Sequence, residues 1–124
     1  MTDARNAPAR FKDLCLDAVD HQALADWWCA ALGYVRHGSP DGAEPDPRWP
    51  VPIVDPAGAG PLIWVNRVPE PKTVKNRMHL DVSGDPVRLI ALGATLLRRP
   101  DEDVHWHVLA DPEGNEFCVF TPDE

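Results

Sequence analysis

Polar and apolar side chains alternate through Asn76-Arg77-Met78-His79-Leu80-Asp81-Val82, with Arg77, His79 and Asp81 set against Met78, Leu80 and Val82. A period of two marks a strand with one buried face, so residues 76–82 are expected to form a strand on which His79 and Asp81 point the same way. The pattern occurs earlier as well. Within a strand expected over residues 11–19, Leu14, Leu16 and Ala18 alternate with Asp13, Cys15 and Asp17, and Leu16-Asp17 echoes Leu80-Asp81. Each strand runs into a helical stretch that ends in Ala-Leu-Gly, at residues 31–33 and again at 91–93. The chain reads as one unit written twice.

In the first unit Asp20 is placed to cap a helix, because its carboxylate can accept an orphan N–H of the next turn. Leu24, Trp27, Trp28, Ala31 and Leu32 then fall on one apolar face, and Gly33 supplies the stop. At that spacing both tryptophans belong to the core. Residues 34–37 suit a short strand, and residues 38–50 a loop, since they hold Pro40, Pro45, Pro47 and Pro50. Two more strands are expected at 51–54 and 62–68, the first on a sheet edge because Pro52 cannot donate to a ladder. Residues 68–75, with Pro69 and Pro71, join the halves. In the second unit Asp85-Pro86 opens a short helix, strands are expected at 94–98 and 104–109, and Asp111-Pro112-Glu113-Gly114-Asn115 turns into a last strand at 116–120. The order is strand, helix, three strands, twice.

A length of 124 residues suits one domain, and units of about 60 residues are marginal alone, so the halves are expected to share a core. Residues 1–10 read as a loose tail. The formal net charge of −8 argues against nucleic acid or an anionic membrane surface as partner and suits a cationic ligand. No apolar run reaches the ~20 residues of a membrane span, and a cytoplasmic location is expected. Cys15, Cys29 and Cys118 are odd in number and widely spaced, which fits reduced thiols.

With these residues in place the chain resembles the vicinal oxygen chelate superfamily, in particular its glyoxalase-like, bleomycin-resistance-like single-domain members. The resemblance is carried by the duplicated order of elements, the Asp20 to Gly33 helix with its Trp-Trp pair, Lys75-Asn76-Arg77-Met78-His79-Leu80-Asp81, Leu92-Gly93-Ala94 and Asp111-Pro112-Glu113-Gly114-Asn115-Glu116-Phe117, and it spans residues 11–121. It implies an α+β fold of two βαβββ modules, residues 11–69 and 76–121, forming an incomplete barrel with helices outside and a small-molecule cavity between modules. Metal-dependent members of that superfamily hold the ion at four positions, which fall here on Asp13, Trp64, His79 and Cys118. Tryptophan cannot ligate, so the quartet is broken. No cofactor is expected, the alternative being a divalent metal on Asp13, His79 and Cys118.

His79 is the candidate general acid–base, with Asp81 or Asp13 tuning it. Asp13, Trp64, Arg77, Cys118 and Phe120 are the candidate ligand contacts. Trp64, with Phe120 and Trp49 as neighbours, suits stacking on a planar or cationic molecule, and Arg77 suits a ligand carboxylate or a salt bridge to one of the many acids. His105 and His107 would share one strand face, as surface residues or as a chelating pair. Two readings remain open. One is a lyase- or isomerase-type enzyme acting on a small metabolite; the other is a non-catalytic protein that sequesters a cationic or aromatic toxic compound. Both admit a homodimer, because relatives pair modules across chains and open barrels expose strand edges.

Overall fold

The computed structural model describes residues 6–38, 42 and 44–122; the first half of the expected tail and part of the 38–50 loop lie outside them. The first half runs β1 (Leu14–Ala18), α1 (His21–Leu32), β2 (Val35–Arg36), β3 (Val51–Val54) and β4 (Ile63–Arg67). The second runs β5 (Leu80–Ser83), α2 (Pro86–Leu92), β6 (Thr95–Arg98), β7 (His107–Ala110) and β8 (Glu116–Phe120). The repeat extends to topology: the sheets are ordered β1-β4-β3-β2 and β5-β8-β7-β6, each with its first strand parallel to its last. The two sheets do not close on each other.

The helix ends follow local chemistry. Asp20 accepts the Ala23 N–H and Gly33, at φ 73°, ends α1 in the left-handed conformation. Asp85 accepts the Val87 N–H and Pro86 occupies the first turn of α2.

Three strand expectations change. The strand expected over 76–82 begins only at Leu80, so Met78 is 82% exposed rather than buried. The strand expected over 104–109 begins at His107, which leaves His105 outside it. Pro52 lies on an inner strand, not an edge, because β3 sits between β4 and β2. Its carbonyl accepts the His37 N–H just past the two-residue β2. A strand residue turns its N–H and C=O to the same side, so the missing donor falls where β2 has already ended and no ladder bond is lost.

One core serves both sheets. Leu24, Trp27 and Trp28 of α1 join Ile53, Ile63 and Val65 of the first sheet and Leu109, Phe117 and Val119 of the second. Trp28 stands edge-on to Phe117 with ring centroids 5.0 Å apart, and Trp27 does so at 6.0 Å. Since Phe117 and Val119 enter this core, period-two alternation sends Cys118 and Phe120 to the opposite face of β8; Asp13, Cys15 and Asp17 likewise leave the face that buries Leu16 and Ala18. The faces turned away from the helices are the open ones.

The halves are also bolted by polar groups. Asp111, only 2% exposed, accepts the Trp28 indole N–H at 2.9 Å from the other half, and the N–H groups of Glu113 and Asn115 within its own turn. The Glu113 carboxylate reaches back to the backbone N–H groups of Val19 and Asp20, at 2.9 and 3.0 Å, where α1 begins. The Asp-Pro-Glu-Gly-Asn turn thus caps a helix about ninety residues away in sequence.

Two exposed loops are built on single carboxylates. Asp55 accepts the backbone N–H groups of Ala57, Ala59 and Gly60, and Asp101 those of Asp103 and Val104 with the Arg98 guanidinium. These bonds hold both carboxyls below the ordinary range, chiefly through the Ala57 N–H at Asp55 and the Val104 N–H at Asp101. A carboxyl lowered on folding adds stability above its unfolded pKa, and that contribution is lost as pH falls through the folded value. The urea midpoint is therefore expected to hold from neutrality to about pH 4 and then drop, with Asp55→Asn and Asp101→Asn each flattening the drop.

Candidate functional site

A cavity of about 410 Å³ lies at the seam of the two halves, lined from one side by Phe11, Asp13 and Leu16 and from the other by Met78, His79 and Glu116. Its volume falls within the range of small-molecule sites, ~300–1,000 Å³. Its floor is the shared core, where Trp28 meets Phe117. The polar groups sit at its margins. Glu116 pairs with Lys72 at 2.9 Å and accepts the Asn76 N–H at 3.0 Å; burial pushes its carboxyl up, but these bonds outweigh it and the net shift is down.

Asp13 is held by its neighbours: the Lys12 ammonium at 2.6 Å and the Trp64 indole N–H at 3.1 Å. Together they lower its carboxyl, the Lys12 bond being the larger cause. Trp64 is paired with Cys15 in the parallel β1–β4 ladder; Cys15 lines the cavity and Trp64 does not. Trp64 thus reaches Asp13 rather than the cavity.

On the second sheet, His79 arrives from the segment before β5, Asp81 from β5 and Cys118 from β8, the last two being register partners. The His79 Nδ1 lies 3.6 Å from Asp81 Oδ1 and 3.8 Å from Cys118 Sγ. Asp81 and His79 are open to solvent, whereas Cys118 is buried. Burial is the main force pushing the Cys118 thiol up, and the Asp81 carboxylate pushes the same way; the Trp106 indole N–H pulls against them. A thiol so placed is held neutral and is a poor nucleophile at neutral pH. Beside it Trp106 stacks on Phe120, with ring centroids 5.3 Å apart.

Of the residues singled out in sequence, Asp13 and His79 line the cavity, and Asp81 and Cys118 stand behind His79. Phe120 lies on the second sheet against Trp106, away from Trp64, and Trp49 is exposed, its carbonyl serving His21 at 3.0 Å. Arg77 is exposed on the segment before β5 and does not line the cavity. His105 and His107 form no chelating group with other donors among the described residues. Neither Trp106 nor Glu116 stands out in the sequence as a site candidate. The alternation of Glu116, Cys118 and Phe120 signals the face that Glu116 shares, but nothing local marks Trp106, which lies just before β7.

The metal arrangement that the superfamily implies does not fit this chain. One of its four positions is Trp64, whose indole has no lone pair to offer, and that indole is bonded to Asp13. The oxygen and nitrogen donors of the two halves are not gathered: among the described residues the single group of candidate ligands is His79, Asp81 and Cys118, without Asp13.

Two repeated four-stranded sheets, each backed by a helix and sharing a cavity at their seam, define the class of paired-βαβββ proteins. The glyoxalase-like domain family matches residues 13–120, and this chain belongs to it. The fold is that of solved structures across the glyoxalase/bleomycin resistance/dioxygenase superfamily. The fosfomycin resistance protein FosX from Mesorhizobium loti is similar with a TM-score of 0.67 and 10% identity, over 94% of each chain. A glyoxalase-related enzyme from Fulvimarina pelagi is similar at 0.63 and 18%, over 90% of this chain and 87% of its own. A family enzyme from Burkholderia phytofirmans is similar at 0.59 and 23%, over 87% and 94%. At such identities the likeness is one of fold. No curated protein matches the chain. Among the described residues, no helix is long and apolar enough to cross a membrane.

Proposed function

We propose that this protein binds a small, largely apolar organic molecule in the seam cavity, with a polar or cationic end toward Asp13 and Glu116. The observation that carries the reading is the cavity itself: about 410 Å³, floored by core aromatics and rimmed by a few charged groups from both halves. His79 at the rim is the acid–base group for a lyase- or isomerase-type step. It takes a proton from a carbon next to a carbonyl, the electron pair passes into the carbonyl as an enolate, and the proton returns elsewhere. Asp81, 3.6 Å from Nδ1, orients the ring as a positioning residue. The second reading, sequestration without turnover, is favoured by the neutral Cys118 thiol and the apolar floor. In either case the open sheet faces and free outer strands suit a homodimer.

The test is a thermal-shift screen of small aromatic and cationic molecules, followed by variants. A ligand of the cavity should lose at least ~10-fold in affinity in Cys15→Trp, which puts bulk on the cavity lining. Catalysis predicts that His79→Ala keeps most of that affinity and abolishes turnover of a carbonyl-bearing ligand, whereas sequestration predicts none in the parent. Hits whose shift survives Cys15→Trp would overturn the site.

A further inference from the structure

We propose that His79, Asp81 and Cys118 form a three-ligand site for a thiophilic divalent cation, zinc in the first instance, carried entirely by the second sheet. It keeps two of the superfamily's four positions, His79 and Cys118, but replaces the ligands of the first module, where Trp64 breaks the set, with Asp81 of the same sheet. It arises from one strand pair. Asp81 and Cys118 are partners in the parallel β5–β8 ladder, and His79 stands two residues before Asp81, so three different donors converge within 4.8 Å of one another.

Two of the three donor separations are close to those of a tetrahedral ion's ligands. Zinc binds thiolate at about 2.3 Å, imidazole at about 2.05 Å and carboxylate at about 2.1 Å. Tetrahedral angles then put nitrogen and sulfur about 3.6 Å apart, and nitrogen and oxygen about 3.4 Å. The two separations from His79 Nδ1, 3.8 Å to Cys118 Sγ and 3.6 Å to Asp81 Oδ1, need to close by only a few tenths of an ångström, and all three donors lie within 4.8 Å, so a turn of the exposed Asp81 carboxylate brings its oxygen to the sulfur. A mixed sulfur, nitrogen and oxygen set selects zinc or cobalt over magnesium or calcium, which take oxygen. Three protein ligands leave a fourth position, the mark of a zinc site that admits water or a small ligand. With His79 and Asp81 open to solvent and Cys118 beneath them, that position faces outward beside the Trp106–Phe120 pair.

The site stands or falls apart from the cavity reading, because it is tested with metal alone. Untagged full-length protein is titrated with cobalt(II), whose thiolate complexes absorb by charge transfer in the near ultraviolet and whose tetrahedral complexes absorb strongly in the visible. One equivalent should raise both bands, and zinc should bleach them. Cys118→Ser should abolish the charge-transfer band, and Cys15→Ser should keep it. Asp81→Asn alters an exposed side chain and leaves the core intact, so it tests the site even if the buried Cys118 variant fails to fold. It should weaken cobalt at least ~10-fold, since even groups behind the ligands of metal sites cost that much. Absence of the bands, a band that survives Cys118→Ser or vanishes in Cys15→Ser, or unchanged affinity in Asp81→Asn would overturn the site and leave His79–Asp81 a simple polar contact.

Discussion

Asp111→Ala should cost this protein roughly 3–5 kcal/mol of folding stability, read as a fall in the urea midpoint without a change in slope. The carboxylate is buried and collects donors from both halves: the Trp28 indole, the Glu113 and Asn115 backbone N–H groups and the Asn115 amide. Removing it leaves those donors without a partner. Each buried donor so stranded costs ~1–3 kcal/mol, and relaxation or an admitted water recovers part of the sum. Trp28→Phe separates the contributions, since it keeps an aromatic ring against Phe117 while deleting the one Asp111 bond that comes from the other half. It should cost about 1–2 kcal/mol. If Asp111→Ala costs no more than Trp28→Phe, the turn is held by its local bonds and the bolt is weaker than described.

Phe117→Ala is the second large effect, at about 3–5 kcal/mol. Phe117 is 1% exposed and lies between Leu80 and Leu109 in the second sheet, while its ring meets both tryptophans of α1. Truncation opens a void that neither sheet can close, because each is fixed by its own ladder, and it removes two edge-on aromatic contacts worth ~0.5–1.5 kcal/mol each beyond their area. A domain of this size holds ~5–15 kcal/mol in all, so the variant sits near the threshold of folding. The contrast with Phe120→Ala is decisive: Phe120 is partly exposed on the opposite face, and its loss should cost less than ~2 kcal/mol. Equal costs would mean that the faces of β8 are assigned the wrong way round.

The place of Phe117 also explains why the seam cavity exists. The Trp28–Phe117 contact floors the cavity, whose walls come from the residues around the starts of β1 and β5. Sheets joined edge to edge would leave no such gap.

Local order was written in the residues. The repeat, both helix caps, the Asp111–Asn115 turn and the last strand follow from periodicity and turn chemistry, which act over a few residues and need no partner. The pairing of His79 with Asp81 was legible for the same reason, although the segment carrying His79 is not in the ladder; two residues of near-extended chain suffice to bring them together. Pro52 shows where this reasoning stops. Proline on an inner strand contradicts the local rule, and it is tolerated only because the neighbouring strand is two residues long. That is a property of the sheet.

Tertiary structure alone decided the rest. Whether Cys118 meets His79 depends on β8 lying beside β5 in one register, a slip of one residue sending its thiol into the core. Trp64 was expected among the ligand contacts, yet its indole serves Asp13, because the parallel β1–β4 ladder sets it there. The Asp111 turn was visible in the sequence, while its clasp on Trp28 and on the start of α1 was not. Periodicity reports which face of an element is apolar; it carries no record of which distant element will cover that face, since that choice is made by the packing of the whole chain.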